Sequence, residues 1–219
     1  MIHRQCAVPH CGHSAASVYS RYCRHHKSRH RRQGSPNQSS ISKTEIKPYL
    51  AVVRSRIARN TDSPLWPELD RAWGIVVSDA RVVTEKRVGN RYERSAAYEV
   101  LNIDADASTR EIVTTSLAMF ILWHQRPGRF ADDGAFWMQL ARRVRALSSR
   151  HRGAVYDHAT GQQRPVYREM TLKAGIILGR RLASAFGFAG LKLAELEERD
   201  RQEAEQSRQT IVNAIEELI

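Results

Sequence analysis

Over most of the chain, apolar residues recur at intervals of three and four, the spacing of one face of an amphipathic helix. Ile46, Leu50, Val53 and Ile57 make the first such stripe, beginning at Glu45. A second helix is predicted from Ser63-Pro64, with Pro64 at its first position, where a proline's fixed φ and missing N–H cost nothing. It carries Leu65, Leu69, Trp73 and Val76 or Val77 inward, and Trp66 and Trp73 read as core anchors. Residues 92–103 predict a short helix. Ser108 and Glu111 then form a capping box that opens another, through about residue 123. Asp132 is the N-cap of a helix over 132–148, with Phe136, Trp137, Leu140, Val144 and Leu147 on its apolar side. Residues 153–164 read as a loop. Residues 170–188 predict a helix rich in small residues that breaks between Gly187 and Gly190, and a last helix runs over 191–218. The fold class is therefore mainly α.

Two stretches depart from this rhythm. Residues 33–44 are small and polar, a linker composition, so the chain divides into a module over 1–36, a linker over 37–47, a helical domain over 48–160 and C-terminal helices over 161–219. The last helix is highly charged over 195–209, while Leu193, Leu196, Ile211, Ala214, Ile215 and Leu218 give it apolar ends. That profile predicts a helix that projects and pairs at its tip, through self-association or a protein partner, or that folds back onto its own chain.

Composition narrows the partners. The chain has 219 residues, 42% hydrophobic and 26% charged, as expected of a folded protein with a real core. Its formal net charge of +12 points to a polyanion, nucleic acid before acidic membrane. No run of eighteen apolar residues occurs and the most apolar stretch, 117–123, is too short to span a bilayer, so no membrane insertion is expected. The first residues lack the apolar core of a signal peptide, which predicts a cytoplasmic, reducing setting for the thiols. Charge is polarised along the chain. Residues 1–47 hold nine Lys/Arg against the single acid Glu45, whereas residues 195–217 hold eight Asp/Glu against three Lys/Arg.

The most specific chemistry is N-terminal. All three cysteines, Cys6, Cys11 and Cys23, lie there and are followed by His25 and His26. Zinc takes four soft or borderline ligands in a tetrahedron, and two short-spaced pairs joined by a longer connection supply them. Cys6/Cys11 and Cys23/His26 fit; His25 competes for the fourth place, but the two-residue spacing favours His26. Pro9 and Gly12 supply the turn chemistry. Such a closed site holds a module folded and performs no reaction. Arg24, Lys27, Arg29, Arg31 and Arg32 continue directly from it, a cationic footprint for phosphates on a metal-fixed support. Arg142, Arg143, Arg145, Arg150 and Arg152 are candidates to extend that face.

Cys6-Ala-Val-Pro9-His-Cys11-Gly12 together with the run from Tyr22-Cys23-Arg24-His25-His26-Lys27 to Gly34-Ser35-Pro36 resembles the small zinc-finger segment found beside HNH homing endonuclease domains and in uncharacterised phage and mobile-element proteins. The resemblance covers about the first 36 residues. It implies Cys6, Cys11, Cys23 and His26 as ligands and Arg29, Arg31 and Arg32 as backbone contacts on DNA. An HNH nuclease needs further His and Asn residues on a metal-binding hairpin, which His124, His151, His158, Asn102 and Asn213 do not supply by their placement. A second stretch, with Tyr98-Glu-Val-Leu101, Asp106-Ala-Ser108, Glu111-Ile112, His124, Phe136, Leu147 and Tyr156-Asp157, is similar in order and spacing to a J-domain co-chaperone. His124-Gln125-Arg126 stands where that family carries its active His-Pro-Asp, so ATPase stimulation is not implied.

The sequence thus predicts a non-enzymatic, zinc-dependent DNA-binding accessory protein of a phage or mobile element, serving recombination, transposition or regulation, with RNA as the other possible ligand and a protein partner recruited by the helices. A nuclease or nuclease remnant of HNH-associated type and a J-like co-chaperone are the alternatives.

Overall fold

Helix α5 (Thr109–Gln125) and the long helix α7 (Leu172–Glu216) form the centre of the protein, in a computed structural model that describes residues 4–150 and 152–216. The predicted capping box opens α5: the Ser108 hydroxyl accepts from the Glu111 N–H, and the Glu111 carboxylate accepts from the Ser108 N–H. From Ile112 to Leu122 every residue is buried. A helix covered on all sides belongs at the core of a bundle, with other helices around it.

Those helices are α2 (Lys43–Arg59), α3 (Leu65–Glu85), α4 (Arg91–Asp106) and α6 (Asp133–Arg145). Three of them begin on side-chain caps: Ser42 with Glu45 for α2, Asn90 with Glu93 for α4, and Asp132 for α6. The expected stripes face inward, with Ile46, Val53 and Ile57 buried on α2 and Leu69, Trp73, Val76 and Val77 on α3. Trp73 is a core anchor whose indole N–H is satisfied, donating to Asp104 Oδ1 at 2.9 Å. Around α5, the rings of Phe120, Trp123, Phe130 and Phe136 contact one another, with Trp123 stacked on Phe136 at 4.5 Å between centroids. The fold is mainly α, with a Cys/His cluster at the N-terminal end, a helical body and a long C-terminal helix.

The expected break at Gly187–Gly190 does not occur; α7 is one helix of 45 residues. Its glycines serve close packing. A Cβ at Gly179 would lie 2.1 Å from the Trp137 carbonyl oxygen, and one at Gly190 would lie 2.7 Å from the Phe120 ring. Each glycine costs a helix about 1 kcal/mol relative to alanine, and here the cost is offset by letting α5 and α6 approach the α7 backbone. The uninterrupted helix is also long and apolar enough to cross a membrane by length and composition, with a window of mean hydropathy 1.2. Part of its apolar side is occupied within the protein, where Ala174, Leu178, Leu182, Phe186 and Leu193 are buried in the core, while Phe188 is exposed. From Arg201 onward the described part of α7 is exposed. At the start of that projection Arg56 on α2 pairs with Glu197 and Asp200. Leu218 lies outside the described residues.

One more expectation is corrected. The predicted loop over 153–164 is an antiparallel hairpin of β1 (Arg152–Asp157) and β2 (Gln162–Tyr167), turning through Gly161 at φ +65. Val155, Tyr156, Val166 and Tyr167 are all exposed, so neither face carries the apolar alternation by which a half-buried strand is read. The small polar segment after Gln33, read as a linker by its composition, is tied to the body. Gln38 and Ile41 are buried. Gln38 Oε1 accepts from the Ala131 N–H at 3.0 Å, the Ile41 N–H donates to Gln139 Oε1 at 3.0 Å, and the Gln139 amide donates to the Gln33 carbonyl at 3.0 Å. Gly34, at φ +100, lets the chain turn here; a Cβ would lie 2.6 Å from the Ala135 Cα.

Candidate metal centre and basic face

Residues 4–23 contain no α-helix or strand and are ordered by backbone hydrogen bonds that fold the long inter-pair connection back on itself. Cys6 N–H donates to the His13 carbonyl, Ala7 to Arg21, Ala15 to Arg4 and Ala16 to Tyr22, at 2.8 to 3.0 Å. Cys11 N–H reaches back to the Val8 carbonyl at 3.1 Å, closing the turn around Pro9 and His10, where His10 takes φ +61. This brings the Cys6/Cys11 loop over the start of α1 (Arg24–Gln33). Cys23 is the N-cap of α1, and His26 stands three residues on, so helical geometry sets both side chains on one face.

The four donor atoms of Cys6, Cys11, Cys23 and His26 all lie within 4.8 Å of one another, the arrangement of a site that could hold a metal ion. His26 presents Nδ1, at 3.5 Å from the Cys6 sulfur and 3.4 Å from the Cys23 sulfur; the Cys11 and Cys23 sulfurs are 4.0 Å apart. Zinc bonds of about 2.3 Å to sulfur and about 2.0 Å to nitrogen give tetrahedral edges of about 3.8 Å (S–S) and about 3.5 Å (S–N). The two S–N edges from His26 and the Cys11–Cys23 edge lie close to those values. A disulfide needs sulfurs at about 2.05 Å, and the three thiols are free. His25 is exposed, edge-on to His26 at 5.3 Å between ring centroids, and stands outside the cluster. Burial pushes the Cys6 thiol up, but contacts from the Cys23 and Val8 backbone and from His26 outweigh it and hold it at about 6. Cys11 receives a lowering backbone contact from His13, yet burial and the neighbouring Cys6 and Cys23 sulfurs push it up. Among the described residues no other His/Cys/Asp/Glu group is close enough to hold a metal ion.

The predicted cations divide into two groups. Arg24, Lys27 and Arg31 are exposed and spaced by three and four residues, one outer face of α1. Arg29 is half-buried. Arg31 and Arg32 are both engaged by Glu169, which follows β2: Arg31 Nη2 lies 2.9 Å from one carboxylate oxygen and Arg32 Nε 2.7 Å from the other. All three side chains are about half exposed to solvent, so the clasp is weak and exchangeable.

The second arginine group also divides. Arg145 is buried and forks onto both oxygens of Glu99, at 2.7 and 2.9 Å, and donates to the Arg168 carbonyl; it is a structural residue. Arg150 pairs with Asp106 at 2.7 Å. With the Ser149 N–H and the Ser148 hydroxyl it holds the Asp106 carboxyl well below the usual carboxylate range. Arg142 and Arg143 have no ion-pair partner among the described residues. His151 and the Arg152 side chain lie outside what is described. Sequence reasoning missed Glu169 and Arg168, an adjacent pair just after β2, of which Glu169 meets Arg31 and Arg32 on α1 only because the hairpin returns the chain there.

No family model matches the chain, no curated protein or solved structure matches it either, and the resemblances to HNH-associated zinc fingers and to J-domains gain no support from these comparisons.

Proposed function

We propose that residues 4–33 are a zinc-held module that grips the phosphate backbone of nucleic acid, DNA in the first instance, as the non-catalytic anchoring part of an accessory protein of a phage or mobile element. The observation that carries this reading is the placement of Arg24, Lys27 and Arg31 on one exposed face of a helix whose first turn supplies two of the four metal donors. Three thiols and an imidazole are a donor set zinc takes, and ligation by all four would hold the module in one shape. Bound zinc supplies folding free energy, so the module's fold and its grip on the polyanion depend on the same ion. The acidic, exposed end of α7 is repelled by phosphates and is left for a protein partner or a second copy of the chain, in recombination, transposition or regulation.

The test is fluorescence anisotropy of a labelled DNA duplex across a salt series, with an RNA of the same sequence as competitor. Binding should weaken linearly on a log–log plot against salt. Arg24→Ala with Lys27→Ala should lower that slope by about 0.9 for each phosphate that is no longer neutralised. Cys23→Ser should abolish binding along with metal retention. Undiminished binding in both variants contradicts the proposal, as does metal-dependent cutting of the duplex, which would favour a nuclease. Tighter RNA binding would move the ligand from DNA to RNA.

A further inference from the structure

A cavity of about 370 Å³ opens between α1, α6 and the segment after β2, and none of the four metal donors lines it. Arg32, Arg142, Arg143, Arg145 and Arg168 line it, with Glu169 as its one carboxylate. The cations are not balanced there. Arg145 is neutralised from behind by Glu99. Glu169 is shared between Arg31 and Arg32. Arg142, Arg143 and Arg168 make no side-chain hydrogen bond or ion pair among the described residues, and Arg143 Nε is buried without a partner. Burial, then the neighbouring Arg143 and Arg145, push the Arg142 guanidinium below its ordinary value, with Glu169 opposing. Like charges gathered in a partly enclosed space repel unless an anion sits among them. Planar guanidinium groups match phosphate oxygens in paired hydrogen bonds.

We propose that this cavity is a phosphate-oxyanion site, with room for a phosphate or pyrophosphate group and with Glu169 competing for its cations. Arg32 belongs both to α1 and to the cavity wall, so a strand lying on α1 can place a terminal phosphate in it; a free pyrophosphate-bearing small molecule presents the same chemistry. Glu169 competes with the ligand for Arg32 and places a like charge beside it.

The experiment is calorimetric titration of the full-length protein with inorganic pyrophosphate at low salt. One site per chain is expected. Arg142→Gln with Arg168→Gln should weaken it by about tenfold or more, the worth of charge-assisted hydrogen bonds. Glu169→Gln should tighten it a few-fold. Arg24→Ala with Lys27→Ala should leave it unchanged, so this site and the proposed DNA grip can fail separately. If the double arginine variant loses helical circular dichroism, Glu169→Gln decides alone. Pyrophosphate binding indifferent to Glu169→Gln, or unaffected in a folded double arginine variant, overturns the proposal, as does no binding at all. A gain in affinity for a 5′-phosphorylated over a 5′-hydroxyl oligonucleotide, lost in the arginine variant, assigns the phosphate to nucleic acid. Equal affinity for the two, with pyrophosphate still bound, assigns it to a small molecule.

Discussion

In residues 4–33 the buried positions are Cys6, Ser20 and Cys23, whereas α5 alone buries every residue from 112 to 122. The apolar core begins at Ile41 and takes nothing from the N-terminal module. Each fully buried Leu, Ile or Phe stabilises the body by about 1.5–3 kcal/mol. The module has no such reserve, and a metal ion held by its three sulfurs and one nitrogen would supply what the core does not. The two regions should therefore answer to different perturbations. The body should ignore a chelator, and the module should ignore core substitutions.

The largest effect that could break this contrast comes from removing the proposed zinc. Structural zinc contributes about 10–16 kcal/mol of apparent binding free energy in small metal-held modules. A chelator should bring backbone amides in residues 4–33 to unstructured hydrogen-exchange rates while those of α5 and the buried half of α7 stay protected; loss of protection in both would mean that the body leans on the module. Next in size is the pair between Glu99 and Arg145, whose side chains are only 10% and 11% exposed. Glu99→Ala should cost about 3–5 kcal/mol by leaving a buried guanidinium unpaired. Replacing both residues with methionine should recover much of that in urea denaturation, with metal content unchanged throughout.

Smaller still is Gly179→Ala, which presses a methyl group onto the Trp137 carbonyl and should cost about 1–3 kcal/mol of overpacking, read as a lowered Tm of the body with the module's exchange pattern intact. Last is Ser108→Ala, which removes one cap from α5 and should cost about 1 kcal/mol in the same melt.

Much of the body was legible in the sequence because its helices announce themselves locally. Ser108 with Glu111, and Asp132, are caps that work through residues three positions away, and stripes such as Ile46, Val53 and Ile57 need only the helical period. The cysteine cluster was legible for the same reason, since ligand pairs are close in sequence. What escaped depends on partners far along the chain. Gly187 and Gly190 read as breakers until Phe120 is seen against them. Arg145 read as a surface cation until Glu99 is placed beside it, 46 residues away in sequence. The polar residues around Gln38 read as a linker because the hydrogen bonds that hold them come from Ala131 and Gln139.

X-ray absorption at the zinc edge of the purified, full-length protein tests the account at its centre. One zinc per chain is predicted, with three sulfurs at about 2.3 Å and one nitrogen at about 2.0 Å, losing one sulfur or the metal itself in Cys23→Ser. Protein purified under reducing conditions without metal, or a zinc shell of nitrogen and oxygen unchanged by that substitution, would contradict it.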